Sequence, residues 1–326
     1  MTYSEVENMD KRFPEVVTFG ESMVLMTPVN TKGIEYNSEF VKSFGGAESN
    51  FAIAVTRLGQ EAGWFSRLGK DPFGRNILKG VRGEGVDVSR VVLTDEAPTG
   101  FMLRENVAGK TSVYYYRSGS AASKLSPEHL DEEYIKNAKI LHITGITCAI
   151  SQSARNAVYD AVRIARKHGV KICFDPNLRL KLWTIEEARE ILLPLANEVD
   201  YFLPGLDELK QLYEINDSEE IFSKLKELKA VSVVKGGNDE TLLVENGEVT
   251  SFPYMPVEKV IDSVGAGDGF CAGFVAGLLK GFSHQESIRL ANMVGALVIQ
   301  SEGDWEGLPT WEEVRAILNK EIHIER

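Results

Sequence analysis

The stretch KILHITGITCAISQSARNAVYDAVRIARKHGVKICFD, residues 139–175, decides the fold. KILHIT (139–144) and VKICFD (170–175) are apolar runs of strand length. Between them, Ala154, Ala157, Val158, Ala161, Val162 and Ala165 recur on one face of a helix spanning 151–169. Ser151 suits the N-cap and Gly169 the C-cap. A strand, a helix and a second strand in this order imply a parallel pair with a crossover packed on one face. Working outward, EVVTFG (15–20), EVDYFLP (198–204) and AVSVVKGG (230–237) read as further strands, and helices are expected after the turns at 265 and 283. The chain is therefore α/β, a three-layer α/β/α arrangement around a mostly parallel central sheet. Segments 23–27, 33–41, 90–94 and 99–116 are β-rich, with TSVYYYR (111–117) the clearest. They predict a small β-sheet lid formed by about 23–41 and 90–117, within one domain covering 1–326. The first dozen residues read as a loose leader. Ligands in such folds bind at the carboxyl ends of the strands.

Composition limits the function. Of 326 residues, 43% are hydrophobic and 26% charged, an ordinary globular balance. The net charge of -12 argues against a nucleic-acid partner but leaves room for a small anion held by a few local arginines. No apolar run approaches the ~20 residues of a membrane span. Cys148, Cys173 and Cys271 form no CxxC pair and read as buried free thiols in a reducing, cytoplasmic setting.

IDSVGAGDGF (261–270) is a glycine-rich turn opening a helix. Such turns hold anions through free N–H groups and the positive helix end, yet this one carries Asp268. It matches neither the GxxxxGK[ST] phosphate loop nor GxGxxG, because Phe270 stands at the last glycine. Amides of Gly265, Ala266, Gly267 and Asp268 beside one carboxylate suit phosphoryl transfer to an alcohol. The amides would neutralise the phosphoryl group, and Asp268 would accept the alcohol proton. An acid in a helix's first turn is also a common stabilising feature, so the loop by itself leaves both readings open. Gly265, Gly269, Gly273 and Gly277 recur every four residues and predict a helix able to approach a sheet closely. A nicotinamide oxidoreductase would have no use for Asp268 or this turn, and a non-catalytic sensor would tolerate its loss.

DSVGAGDGFCAGFVAGLL (262–279) resembles the C-terminal signature of the ribokinase-like, or PfkB, sugar kinases. FGGAESNFAIAVTRLG (44–59) resembles their N-terminal signature, continued by SRLGKDPFG (66–74), and the likeness runs from about 15 to 318. The resemblance implies ATP as donor, Mg²⁺ as the phosphate-bridging ion and, in many members, stimulation by K⁺. It implies Asp268 as general base, the 265–268 turn as anion hole, and Gly45, Gly46 and Asn50 as sugar contacts. On the nucleotide side it implies Lys235, Gly236, Gly237, Ser263, Gly265, Gly267 and Asn292, although Lys235 could face phosphate or solvent. Glu208 corresponds to the family's magnesium-orienting glutamate, acting through water, with Gly205 where asparagine is frequent. Lids of this family often pair, which makes 90–116 a candidate surface for a homo-oligomer.

FDPNLRLKLW (174–183) and VYYYRSGSAAS (113–123) are similar to the branch of the family that phosphorylates 2-keto-3-deoxygluconate. That likeness implies Arg179, Arg117 and Tyr115 as handlers of a sugar carboxylate, to which a guanidinium makes bidentate bonds. Met102 stands where that branch often has a tyrosine. A neutral-sugar kinase such as a fructokinase is the alternative, with Arg179 pairing Asp175 or a carbonyl and Arg117 solvated.

Overall fold

The structure, a computed structural model, describes residues 13–237 and 240–318, so the expected leader lies outside the described residues. Its strands are β1 (Val16–Phe19), β2 (Met23–Pro28), β3 (Phe40–Gly45), β4 (Ala62–Phe65), β5 (Arg67–Gly69), β6 (Val92–Thr94), β7 (Phe101–Val107), β8 (Lys110–Tyr116), β9 (Ile140–Thr144), β10 (Lys171–Asp175), β11 (Tyr201–Phe202), β12 (Val231–Gly237), β13 (Glu240–Glu245) and β14 (Glu248–Pro253). The helices are α1 (Ala47–Arg57), α2 (Pro72–Gly83), α3 (Glu132–Lys136), α4 (Gly145–Ile150), α5 (Gln152–His168), α6 (Ile185–Ala196), α7 (Leu206–Tyr213), α8 (Ser218–Lys226), α9 (Ala266–Leu279), α10 (His284–Val298) and α11 (Trp311–Leu318).

The main sheet has the order β14-β13-β12-β11-β10-β9-β1-β4. It is parallel from β4 to β12, and the β13–β14 hairpin adds two antiparallel strands at one edge. β1 and β9 are buried along their whole length, as expected of strands covered on both faces. One core gathers α5, α6, α7 and α8 on one face, through Ala161, Leu192, Leu209 and Ile221. The other gathers α1, α9, α10 and α11 through Phe51, Phe274, Ile288 and Val314. Helix α5 begins and ends where its caps dictate: Ala154 N–H donates to Ser151 Oγ at 3.1 Å, and Gly169 is left-handed at φ 73°.

The lid is a four-stranded sheet, β3-β2-β7-β8. Its membership differs from the sequence expectation at two places. Residues 34–36 form a 3₁₀ turn, and the strand forms later, at Phe40–Gly45, antiparallel to β2. Val92–Thr94 is a strand but pairs with β5 in a separate two-stranded sheet, because alternation marks a strand without naming its partner. The structure also corrects the glycine stripe. Its close neighbour is helix α10, not a sheet: a Cβ on Gly273 would lie 2.8 Å from Ala291 Cα, and one on Gly277 2.8 Å from Ser287 Cα. Burial of all three free cysteines pushes their thiols up, Cys148 to about 12, which keeps them unreactive. Among the described residues no helix is long and apolar enough to cross a membrane.

Helix-on-helix contact at this stripe can be tested by stability. Gly273→Ala is expected to cost about 1–3 kcal/mol in urea unfolding, as overpacking against backbone does. Gly83→Ala, whose added methyl meets nothing within 4 Å at the end of α2, should cost nothing or stabilise slightly. Equal effects at the two sites would contradict the packing assignment.

Candidate active site

Several elements bring their functional ends to one side of the sheet. β10 ends at Asp175, β12 carries Lys235, α7 starts near Glu208, and Gly45–Gly46 join β3 to α1. The turn at Gly265, left-handed at φ 78°, opens α9. The lid stands over this edge and encloses a cleft of about 1130 Å³. Gly45, Gly46, Asn50, Asp175 and Glu208 line it, together with Lys235, Ser263, Gly265, Gly267 and Asp268.

The N-termini of α1 and α9 face one another across Asp268. Asn50, in the first turn of α1, donates from Nδ2 to Asp268 Oδ2 at 2.9 Å. Burial pushes the Asp268 carboxyl up to about 7. Asn50 and Arg179 pull against that shift, while Asp175 and Glu48 add to it. A carboxylate titrating near neutrality suits a general base. Being in the first turn of α9, the amides of Gly267 and Asp268 have no acceptor four residues back. An anion drawn to those amides would therefore meet the Asp268 carboxyl.

Beneath lies a second charged group. Lys235 Nζ is 3.1 Å from Asp175 Oδ1, and Cys271 Sγ donates to Asp175 Oδ2 at 3.5 Å. The carboxylates of Asp175 and Glu208 hold the buried ammonium well above its usual range despite burial. Glu208 accepts the Leu178 amide at 2.6 Å and the Gly205 amide at 2.7 Å, so it ties the 176–182 loop to the start of α7. Burial raises its carboxyl, and the Asp175 charge adds to that.

On the lid side, Arg117 is already engaged. Its Nε donates to Glu21 Oε2 at 2.7 Å and its Nη2 lies 2.6 Å from the same oxygen. Ser120 Oγ donates to the other Glu21 oxygen. Glu21 is 2% exposed, so the lid's base is pinned to the end of β1 by a buried pair. Tyr115 lies between two cations, Arg117 at 5.8 Å and Lys181 at 5.7 Å from its ring centre. Lys181 also donates to Val113 O at 3.1 Å, joining the 176–182 loop to β8. Arg179 is different: it lines the cleft, makes only a long 3.4 Å bond to Leu178 O, and has no ion pair among the described residues.

Of the residues singled out in the sequence, Ala266, Gly236, Gly237 and Asn292 are not brought to the cleft wall. Gly236 N–H donates to the Tyr254 hydroxyl, and Gly237 pairs with Glu240 beside the undescribed residues 238–239. Asn292 is buried under the hairpin, accepting from Thr241 Oγ1 at 2.6 Å and donating to Pro253 O at 3.2 Å. Sequence reasoning missed Glu21, Arg104, Lys181 and Asp304, and it offered Arg179 as a partner for Asp175 where the structure pairs Asp175 with Lys235. Asp304 lies at the meeting point of three elements: a Cβ on Gly45 would strike its Oδ2, and a Cβ on Gly265 its carbonyl oxygen. Burial pushes Asp304 up to about 6 while Arg104 pulls it down. Arg57 holds this loop through the Trp305, Glu306 and Leu308 carbonyls. Some of these partners, such as Arg57 and Leu308, lie 251 positions apart, and no spacing rule announces them.

A three-layer α/β/α core with a β lid over a cleft lined by Asp268 and the start of α9 is an arrangement suited to phosphoryl transfer to an alcohol. Residues 14–311 match the family described as pfkB family carbohydrate kinase, and the chain belongs to that family of sugar kinases. It is 37% identical to a 2-dehydro-3-deoxygluconokinase of Bacillus subtilis (strain 168) over 94% of this chain and 95% of the relative. It is 36% identical to a 2-dehydro-3-deoxygluconokinase of Thermoproteus tenax over 93% of this chain and 94% of that one. An E. coli protein described as a ribokinase II, solved in complex with ATP and Mg²⁺, superposes with a TM-score of 0.85 at 27% identity, covering 94% of this chain and 99% of that one.

The environment of Asp268 sets a pH dependence. Only the ionised carboxylate accepts a proton, so kcat/KM should rise about ten-fold per unit below pH 7 and level off above it. Asn50→Ala removes the Nδ2 donor and should move that limb to higher pH. The folded value exceeds the ordinary 3.8, so ionised Asp268 costs stability at pH values above that range. Asp268→Asn should therefore raise Tm relative to wild type at pH 8 and not at pH 4. A flat pH–rate profile from 5 to 8 would contradict the assignment.

Proposed function

We propose that the protein transfers the γ-phosphoryl group of ATP to the primary C6 hydroxyl of 2-keto-3-deoxygluconate. The observation that carries the acid acceptor is Arg179, a guanidinium without an ion-pair partner among the described residues, facing the same cleft as Asp268 in a chain of net charge -12. Spare arginine donors suit a planar carboxylate far better than a neutral polyol. The names of the relatives at 37% and 36% identity support the same acceptor. The sugar would lie under the lid against Gly45, Gly46 and Asn50, with its carboxylate toward Arg179 and its far hydroxyl toward Asp268.

The alcohol oxygen attacks the γ-phosphorus, the bond to the β–γ bridging oxygen breaks, and ADP leaves with that electron pair. The alcohol proton passes to Asp268. The amides of Gly265, Gly267 and Asp268 take up charge on the transferring group, which is where preorganised donors act most strongly. Lys235 would neutralise charge near the phosphates while keeping Asp175 in place. Among the described residues no group of three or more His, Cys, Asp or Glu could hold a metal alone. Glu208, on the same cleft wall, would hold Mg²⁺ through water, the ion's remaining places being left to phosphate oxygens and waters. The ion would supply charge neutralisation on the β- and γ-phosphates.

One observation favours a neutral ketose as the acceptor instead. Glu21 neutralises Arg117, so one of the two expected carboxylate handlers contributes no net charge. Kinetics with 2-keto-3-deoxygluconate, its epimers and fructose separate the two. The acid should be preferred, and Arg179→Ala should lower kcat/KM for the acid about 10- to 100-fold, as loss of a charge-assisted bond does, with a smaller effect on fructose. Equal efficiency on both acceptors, or an equal loss on both, would overturn the acid assignment.

A further inference from the structure

Arg104 projects from β7 on the cleft face of the lid, two residues beyond Met102. Its Nη1 lies 3.2 Å from Asp262 Oδ2 and 3.1 Å from Asp304 Oδ1. The three side chains are only 12%, 20% and 9% exposed. Each comes from a different part of the molecule: the lid, the segment leading into the anion-hole turn, and the loop after α10. The Asp262 carboxylate has a second task, because its Oδ1 accepts the Val264 amide at 3.1 Å. The group that holds Arg104 thus also folds the turn that ends at Gly265. Asp304 is fixed as closely, wedged against Gly45 on the sugar side and Gly265 on the phosphate side.

Charge gives the arrangement its consequence. Two carboxylates flank a turn that would receive a phosphoryl group, and among the described residues only the Arg104 guanidinium is paired with both. Moving the lid moves that guanidinium. It would leave uncompensated the charges of Asp304, which lines the cleft, and of Asp262, just before the turn, and like charges in a partly buried site repel strongly. A lid settled on the sugar therefore favours an anion hole that is correctly folded and not electrostatically blocked.

We propose that Arg104 is a positioning residue that joins lid placement to anion-hole geometry, so that acceptor and nucleotide bind cooperatively through it. The inference rests on the reading above only in placing the acceptor under the lid and the nucleotide at the 265–268 turn. It does not depend on which sugar is the acceptor. Coupling of this kind is reciprocal: the factor by which the sugar tightens the nucleotide equals the factor by which the nucleotide tightens the sugar.

Calorimetric titration tests it, with the non-hydrolysable analogue AMP-PNP and MgCl₂, without and with saturating 2-keto-3-deoxygluconate. Should the kinetic panel identify a neutral ketose, that ketose replaces the acid, so failure of the acid assignment and failure of the coupling are separate results. For wild type, the acceptor should tighten AMP-PNP about ten-fold, within the usual range of coupling. Arg104→Met should reduce that factor to within about two-fold of unity, with Arg104→Lys intermediate. Asp262→Asn retains an oxygen for the Val264 amide but loses the ion pair, and it should lose coupling likewise, which covers the case where Arg104→Met does not fold. The proposal is overturned if wild type shows no coupling. It is also overturned if the folded variants keep the wild-type factor while both affinities weaken in proportion, as a purely structural arginine would produce.

Discussion

The site depends on a single hydrogen bond between two helix starts. Asn50 at the head of α1 donates to Asp268 at the head of α9, across 218 positions of sequence. Both helix ends carry a positive partial charge and unpaired amides, so the space between them favours anions. A carboxylate in that space would ionise readily if it were solvated. Burial counters this and leaves Asp268 titrating near neutrality. A space that favours anions thus holds a carboxylate without fixing it permanently as a charge, as the proposed role of Asp268 requires.

The surrounding structure keeps the two helix heads apart by the right amount. Helix α9 lies against α10 through its glycine stripe, where an added methyl would meet backbone. Helix α1 is held by its core residues Phe51, Ile53 and Val55, all fully buried. Its second residue, Glu48, is buried beneath with both Thr144 and Thr147 hydroxyls donating to one oxygen. Burial raises the Glu48 carboxyl, which limits the negative charge it adds behind Asp268. The loop carrying Asp304 fills the gap between Gly45 and Gly265, and Arg57 clamps that loop through three carbonyls.

Local signals were the legible ones. The caps of α5 and the strands at 140–144 and 171–175 depend on residues a few positions apart, and each formed where its residues indicate. The glycine-rich turn and Asp268 were legible because loop and acid are adjacent. Partner identity was not. The glycine stripe shows that something approaches α9 closely but not that it is α10, and Val92–Thr94 shows a strand but not that it joins β5. Arg117 was readable as a lid cation, whereas its neutralisation by Glu21 joins the end of β1 to the end of β8 and leaves no mark in either segment. Arg104, Asp262 and Asp304 are ordinary charged residues in sequence, and their meaning exists only in the folded chain.

The direct measurement is a structure of the protein with its sugar acceptor, AMP-PNP and Mg²⁺ bound. The account predicts an Asp268 carboxylate oxygen within hydrogen-bonding distance, about 2.6–3.2 Å, of the acceptor's primary hydroxyl, with the γ-phosphate on the amides of Gly265, Gly267 and Asp268. A hydroxyl directed at another group, with the Asp268 side chain turned away and the phosphate lying elsewhere, would contradict it.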